Sequence, residues 1–223
     1  MITAVMLNWK RPKNVSRIVG GWKSGGMVSE AIVWNNNPEH VASHDSVKSI
    51  NTSCDMGLYT RFSAASLAKN RCILMQDDDI EIPVRSLELL YSAWERDPGV
   101  LHGVFGRNPR PDGGYSPFNA YGEVAVVLTR VLLMDRMYAP LFFLAEPRFA
   151  DIQASGKPFG NGEDIILSYV ARRESGRMNV ACKVEVKELP SPNSIHGRDW
   201  SGHLSHRSRL IKACEAWISE VKK

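Results

Sequence analysis

The segment "ITAVMLNWKRPKNVSRIVGGWKSGGMVSEAIVWNNN", residues 2–37, predicts the fold of the chain. Two short apolar runs rich in β-forming residues, Ile2 to Leu7 and Ala31 to Trp34, stand near its two ends. Between them, apolar residues recur at helical spacing until glycines end the pattern: Val15, Ile18, Val19 and Trp22. This order of strand, helix and strand is typical of a β-α-β unit, which requires a parallel sheet.

The same alternation continues beyond this unit. The run "CILMQ", Cys72 to Gln76, has the continuous apolar character of a strand that is buried on both faces. The segment after Pro83 has apolar residues along one side of a helix: Leu87, Leu90, Tyr91 and Trp94.

Two later segments extend the pattern. Tyr121 to Met134 is a long apolar segment, and Asn161 to Gly176 reads as a helix with Asn161 as its N-cap and Gly176 as its stop. We therefore predict one α/β domain over residues 1–223, with helices on both faces of the sheet and ligands at the carboxyl ends of its strands.

Composition restricts the class of protein. Of 223 residues, 43% are hydrophobic and 23% are charged, as in ordinary globular domains. The first apolar run is too short for a signal peptide and no segment approaches the roughly 20 apolar residues that span a bilayer, so we predict a soluble, cytoplasmic protein. The cysteines form no CxxC pair, which argues against a zinc knuckle, and we expect buried thiols: Cys54, Cys72, Cys182 and Cys214.

The segment from Ile195 to Lys212 concentrates basic residues. It contains three histidines, three arginines and one lysine against one aspartate, whereas the whole chain has a net charge of only +4. Such a segment is either a solvated basic tail or the partner of an anion. Within it, His206 and Arg207 are candidates to lie across a diphosphate and stabilise its developing charge.

Three consecutive aspartates, Asp77, Asp78 and Asp79, follow the predicted strand that ends at Gln76. Adjacent carboxylates at the end of a buried strand repel one another unless their charge is neutralised. Mg²⁺ or Mn²⁺, held by one or two of them, would do so and would keep coordination positions open for diphosphate oxygens. The alternative is an acidic surface turn that begins the next helix.

Other polar residues at element ends are candidates with alternatives. Asn35 and Asn36 follow the second strand, where they either form a tight turn or contact a nucleobase or ribose. Glu163 and Asp164 occupy the first turn of a helix, where they either cap it or present a carboxylate to a sugar.

Six motifs, taken in order, resemble one family: "MLNWKRP", "VWNN", "ILMQDDDIEI", "GVFGRNPR", "NGEDIILSYVA" and "SGHLSHR". They are similar to the exostosin-type glycosyltransferases, the α-N-acetylhexosaminyltransferase family that includes the C-terminal catalytic domains of heparan sulfate polymerases. The resemblance implies a GT-A fold, a nucleotide-diphosphate-sugar donor that is usually UDP-linked, a divalent metal that is usually Mn²⁺, and transfer with retention.

The resemblance also implies roles for single residues. Asp79, with Asp77, would bind the metal, Asp164 would be the active-site carboxylate, and Arg207 would lie near the diphosphate. Met56 departs from the family, whose members tend to carry an asparagine there. The complete set predicted to contact the nucleotide sugar is Asn8, Arg11, Asn35, Asn36, Arg61, Asp77, Asp78, Arg107, Glu163 and His206.

The acceptor and two other classes of function stay open. We expect residues 1–100 to bind the nucleotide and residues 101–223 to bind an acceptor, which is a glycan, a small molecule or a modified base in DNA. A sugar nucleotidyltransferase is one alternative, although "NWKRPKN" lacks the glycine-rich loop such enzymes carry after the first strand. A non-catalytic module that binds a nucleotide or nucleic acid is the other.

Overall fold

A computed structural model describes residues 1–154, 161–191 and 200–220 of the chain. Its strands are β1 (Ile2–Asn8), β2 (Val28–Asn35), β3 (Lys48–Asn51), β4 (Cys72–Gln76), β5 (Ile80–Glu81), β6 (His102–Gly103), β7 (Gly106–Arg107), β8 (Gly122–Val124), β9 (Val126–Val127), β10 (Val131–Asp135), β11 (Asn179–Ala181) and β12 (Lys187–Glu188). Its α-helices are α1 (Pro12–Ser24), α2 (Thr60–Ser66), α3 (Val84–Arg96), α4 (Tyr138–Ala145), α5 (Ala150–Ala154), α6 (Glu163–Ser175) and α7 (Trp200–Ser219), with 3-10 turns at Pro38–His40 and Glu146–Phe149.

A mixed, mainly parallel sheet of eight strands forms the centre, in the order β3-β2-β1-β4-β10-β6-β11-β8. The first four of these strands are parallel, as the β-α-β pattern predicted. β10 runs antiparallel to both β4 and β6. The α/β fold class predicted from the sequence is therefore confirmed.

The β-α-β unit begins the sheet. Strand β2 begins at Val28 rather than at Ala31, because pairing with β1 extends the ladder until Val28 lies opposite Ile2. At the other end Asn8 lies opposite Asn35, so β1 and β2 end together. The carboxyl ends of these strands form the edge at which ligands bind in sheets of this kind.

The two faces of the sheet carry two hydrophobic cores. Alternation along β1 sends Val5 to one core and Ala4 and Met6 to the other. Helices α1 and α3 cover the second core, whereas α2, α4, α6 and α7 contribute to the first. Covering on both faces explains why β4 is buried along its whole length.

The apolar segment from Tyr121 to Met134 is three strands rather than one. It divides into β8, β9 and β10, with breaks at Ala125 and at residues 128–130. Because β10 is antiparallel to β4, its first residue, Val131, lies opposite Gln76, the last residue of β4. The N–H of Asp77 then donates to the carbonyl of Arg130 at 3.0 Å, so position 130 lies beside the aspartate triplet.

Helix α6 begins and ends at glycines. Gly162, not Asn161, is its N-cap, with φ of +136°, so the predicted capping role of Asn161 is wrong. A Cβ at Gly162 would lie 2.5 Å from Leu210 Cδ2 of α7, and this close packing explains the choice of glycine. Gly176 ends the helix in the left-handed conformation, as predicted.

Part of the basic segment is helical and buried. Its residues 195–199 lie outside the described part of the chain, whereas residues 200–212 belong to α7. His206 and Arg207 are buried in that helix, so a purely solvated tail is wrong for these two positions.

The cysteines only partly follow the prediction. Cys72 and Cys214 are buried, Cys182 is half-buried and Cys54 is exposed, because Cys54 lies in the irregular segment between β3 and α2. Within residues 1–154, 161–191 and 200–220, none of the helices combines the length and the apolar character needed to cross a bilayer.

Candidate active site

The site lies at the carboxyl ends of β1 and β4, which are neighbours in the sheet. Arg11 is the N-cap of α1, where Pro12 fixes the first turn of the helix and so holds Arg11 beside the sheet edge. From there its Nη1 forms an ion pair with Asp78, and its Nη2 donates to Ser191 Oγ at 2.7 Å. The two strand ends are thus joined by a partly buried charge pair.

Each aspartate of the triplet has an arginine partner. Asp77 Oδ1 lies 3.2 Å from Arg61 Nη1, and Asp78 pairs with Arg11. The negative charge that the sequence assigned to a cation is therefore already compensated in part by arginines from three separate parts of the chain: Arg11, Arg61 and Arg130. Burial raises the pKa of Asp78 to about 6 against the effect of Arg11, and its two aspartate neighbours add to the rise.

The two carboxylate oxygens of Asp79 have different surroundings. Its Oδ2 accepts from Ser191 Oγ at 3.0 Å and lies 3.4 Å from Arg11 Nη1. Its Oδ1 is buried without a hydrogen-bond partner and faces Arg130 Nη2 at 3.6 Å. A buried carboxylate oxygen without a hydrogen-bond partner is an unsatisfied acceptor, so Asp79 has an oxygen for a cation or donor.

Arg61 links the triplet to α6. It is 6% exposed, and its Nη2 lies 3.8 Å from Glu163 Oε1, in the first turn of that helix. Glu163 Oε1 also accepts from Thr129 Oγ1 at 3.1 Å, and Oε2 accepts from the backbone N–H of Gly162 at 3.2 Å. Burial raises the pKa of Glu163, although Arg61 opposes that rise. All the oxygens of Glu163 are therefore in use within the protein.

Asp164 and Arg207 form the second charge pair of the site. Asp164 Oδ2 accepts from Arg207 Nη2 at 2.6 Å, and both side chains are less than one-tenth exposed. The Arg207 guanidinium lies over the ring of Tyr115 at 4.5 Å and donates through Nη1 to Asn161 Oδ1 at 3.3 Å. Its Nε is buried without a hydrogen-bond partner, which leaves one donor for an anion.

The asparagines after the strands form a buried amide network. Asn35 Oδ1 accepts from Asn8 Nδ2 at 2.7 Å and from the N–H of Ala42 at 3.0 Å. Asn35 Nδ2 donates to Asn51 Oδ1 at 2.7 Å and to the carbonyl of Ala42 at 3.1 Å. All four hydrogen-bonding positions of this amide are filled, so Asn35 positions the loop after β2 and has none left for a nucleoside.

Asn36 differs from its neighbour. Its Nδ2 donates to the carbonyl of Gly57 at 2.9 Å and to Thr60 Oγ1 at 3.2 Å. Its Oδ1 is buried without a hydrogen-bond partner. Of the two asparagines that the sequence offered as nucleoside contacts, only Asn36 retains a free acceptor.

Two predicted residues lie outside these charge pairs. Arg107, on β7, donates to Asn119 and to the carbonyl of Gly106, and no contact joins it to the triplet or to Asp164 within the described residues. His206 is bonded through Nε2 to Gln153 Oε1 at 2.9 Å, and burial lowers its pKa. His206 therefore holds α7 against α5 rather than facing the triplet.

Sequence reasoning missed four residues of the site: Asn161 as a partner of Arg207, Tyr115, Arg130 and Ser191. One of them had a signal, because Arg130 is the single charge in the apolar run "VAVVLTRVLLM". A charge inside such a run needs an opposite charge nearby, and Arg130 pairs with the carboxylates of Asp79 and Glu188.

The side chains of the site fit a divalent cation whose remaining coordination positions are filled by phosphate oxygens of a nucleotide. In the described ranges, histidine, cysteine and acidic side chains nowhere form a group of three that could hold a metal ion. A cation held by one or two carboxylates together with phosphate oxygens needs no such group. The oxygen of Asp79 that lacks a hydrogen-bond partner is the ligand that such an arrangement requires.

The solved structures that resemble the chain include GalNAc-T7, crystallised with UDP, GalNAc and Mn²⁺. The match has a TM-score of 0.64, covers 95% of this chain and 47% of the other, and has 12% sequence identity. At that identity the likeness shows the fold, which is GT-A.

Among curated proteins, the chain is 27% identical over 175 residues to "Glycosyltransferase family protein 64 C3" of Arabidopsis thaliana. The aligned region covers 69% of this chain and 52% of that protein, so the chain spans about half the length of both relatives. The model of the glycosyl transferase family 64 domain matches residues 2–221, nearly the whole sequence. The chain belongs to glycosyltransferase family 64 and has the GT-A fold.

Proposed function

We propose that the chain transfers a sugar, with retention, from a UDP-linked donor to an acceptor hydroxyl, and that a divalent cation, Mn²⁺ or Mg²⁺, assists. The observation that carries this proposal is the buried oxygen of Asp79 that has no hydrogen-bond partner, within an aspartate triplet that is paired with arginines from three parts of the chain. The family and the ligands named for GalNAc-T7 support a nucleotide-sugar donor. The six sequence motifs support an exostosin-type enzyme.

The donor is held by residues of the first half of the chain. Arg11 and Arg61 flank the triplet and offer positive charge to the diphosphate, and Asn36 Oδ1 offers an acceptor to a ring N–H of the base. When bound at Asp79, the cation would neutralise the diphosphate as it leaves. This division agrees with the proposal that residues 1–100 bind the nucleotide, while residues 101–223 supply Asp164, Arg207 and the acceptor side.

The chemistry breaks one bond and forms one. The acceptor oxygen bonds to the anomeric carbon on the face from which the diphosphate departs, and the acceptor proton passes to a phosphate oxygen. Arg207 Nε donates to that diphosphate, while Asp164 holds the guanidinium in place. Glu163 and Asp164 are already engaged by Arg61 and Arg207, which argues against either as a covalent nucleophile.

Membership of the family favours glycosyl transfer over the two alternatives considered from the sequence, a sugar nucleotidyltransferase and a non-catalytic module. For the acceptor we propose a glycan or a small molecule. A nucleic-acid acceptor has no support from the family or from the similar structures. A cytoplasmic location stays a prediction.

Calorimetry of UDP binding tests the proposal. We expect Mn²⁺ to strengthen UDP binding to the wild type and to have little effect in Asp79→Asn, which keeps the shape of the side chain but lacks its charge. Thermal melting of both proteins provides the control for folding. Equal UDP affinity with and without Mn²⁺ in the wild type would contradict the cation site. A screen of UDP-, GDP- and TDP-sugars for donor hydrolysis then identifies the donor.

A further inference from the structure

Arg130 lies between two carboxylates. Its Nη2 is 2.6 Å from Glu188 Oε2 and 3.6 Å from Asp79 Oδ1. Its guanidinium also lies over the ring of Phe105 at 4.7 Å. The side chain is therefore held in place on three sides, with its charge directed at the oxygen of Asp79 that has no hydrogen-bond partner.

The fold places both Arg130 and Glu188 beside Asp79. Antiparallel pairing of β10 with β4 carries Arg130 to the end of β4. Pairing of β12 with β5 carries Glu188 opposite Ile80, and the N–H of Leu189 donates to the carbonyl of Asp79 at 2.8 Å. The bridge from Glu188 through Arg130 to Asp79 is thus fixed by backbone ladders rather than by flexible side chains alone.

A guanidinium and a divalent cation compete for the same carboxylate. Arg130 already stabilises the negative charge of Asp79, which reduces what a cation gains there. A cation beside Asp79 would also be repelled by Arg130, at a separation where two charges interact appreciably in a partly buried site. Glu188 reduces both effects, because it draws the guanidinium away from Asp79 and neutralises part of its charge.

We propose that Arg130, held by Glu188, is a resident countercharge for Asp79 that lowers the affinity of the site for a divalent cation. Arg130 thereby makes nucleotide binding less dependent on that cation. The inference rests on the proposed function, since it concerns the same nucleotide and cation site. It assigns a positioning and tuning role to a residue and to a bridge that the sequence motifs do not include.

The test is a ratio of two UDP dissociation constants: the constant measured with EDTA divided by the constant measured with Mn²⁺. A larger ratio means that UDP binding depends more on the cation. We expect Arg130→Gln to raise this ratio roughly fivefold or more, because the competing charge is gone. Arg130→Lys keeps the charge and should stay closer to the wild type than to Arg130→Gln. Arg85→Gln is the matched control, since Arg85 is 79% exposed and pairs only with Glu88 among the described residues, and its ratio should be unchanged.

Glu188→Gln provides a second arm with the opposite sign. Without Glu188 the guanidinium moves closer to Asp79, so the ratio should fall below that of the wild type. In the Arg130→Gln background the same substitution should have little effect, because Glu188 acts through Arg130. An equal effect of Glu188→Gln in both backgrounds would overturn the bridge.

The outcomes separate this inference from the proposed function. If Mn²⁺ strengthens UDP binding in the wild type and Arg130→Gln leaves the ratio unchanged, the inference fails while the proposed function stands. If Mn²⁺ has no effect in the wild type but strengthens binding in Arg130→Gln, the proposed assistance by a cation fails for the wild type, whereas the countercharge role is supported. If Mn²⁺ has no effect in either protein, both proposals fail. Circular dichroism of each variant confirms that it is folded.

Discussion

Asp164 forms a buried ion pair with Arg207, so removal of the Asp164 charge tests what the pair contributes to transfer. Asp164→Asn keeps an oxygen that accepts from Arg207, so the fold should survive, but the neutral amide holds the guanidinium less firmly. We expect turnover to fall by roughly 100-fold and UDP affinity to fall much less, because the pair stabilises the transition state of transfer more than it stabilises bound UDP. Steady-state kinetics together with UDP calorimetry measures both quantities.

A structural role for Asp164 predicts a different pattern. Near-normal turnover combined with a loss of about 1 kcal/mol in the free energy of unfolding would mean that Asp164 serves only the start of α6. The hydrogen bond from the N–H of Ile165 to Asp164 Oδ1, at 2.9 Å, makes that alternative specific enough to test. Urea denaturation of the variant measures the stability term.

For single residues of the site, the sequence indicated the residue types but not the side chains that they contact. Asp164 was predicted from its place at a helix start, whereas its contact with Arg207 joins residues 43 positions apart. Asn35 was predicted to face a nucleoside because a free amide was assumed. The amide is filled by Asn8 and Asn51, and only the paired strands bring these three side chains together.

The close packing of the start of α6 against α7 should contribute to the stability of the protein. Gly162→Ala places a Cβ 2.5 Å from Leu210 Cδ2 and forces an alanine into φ of +136°. We expect a loss of about 2 kcal/mol or more in the free energy of unfolding, from backbone strain and overpacking together. Urea denaturation checks the value.

Gly176→Ala is the matched control for that change. Gly176 also has a positive φ, +69°, but a Cβ there meets nothing within 4 Å. The loss should therefore be smaller, about 1 kcal/mol. Equal losses at the two glycines would show that contact with Leu210 contributes nothing, and partial recovery in Gly162→Ala combined with Leu210→Ala would show that it does.

Element positions followed from the sequence better than element directions. The β-α-β unit was predictable because the apolar spacing changes from strand to helix and back. The direction of β10 was not, since apolar spacing carries no information on whether a strand is parallel or antiparallel. Without that direction, nothing placed Arg130 beside Asp79.

The stability of the whole molecule should depend on pH through His102. Its Nε2 is bonded to the carbonyl of Asp97 at 2.8 Å, and its Nδ1 is buried without a partner. Burial lowers the pKa of His102 below 6.5; the backbone bond and charge of Asp97 oppose this shift, and Arg96 and Arg177 add to it. The neutral ring is thus favoured in the folded state, so stability is present above 6.5 and is lost as the pH falls towards the folded pKa.

We expect His102→Gln to reduce this loss. Between about pH 7.5 and about pH 5.5, the free energy of unfolding of the wild type should fall by roughly 1 kcal/mol more than that of the variant. The pKa values of Asp78 and Glu163 are raised, so these groups stabilise at low pH and oppose the trend, but they do so equally in both proteins. His44→Gln, at a solvent-exposed contact with Ser46, is the control, and an identical pH dependence in all three proteins would rule His102 out.

The antiparallel direction of β10 also bears on how sequences with this fold can diversify. Position 130 precedes the first ladder residue of that strand, so its side chain reaches the aspartate triplet while Val131 and the residues after it remain in the core. If the proposed countercharge role is right, a substitution there changes the cation requirement without altering the core residues of β10. Saturation mutagenesis at this single codon is therefore a direct route to variants that differ in their metal requirement while sharing one scaffold.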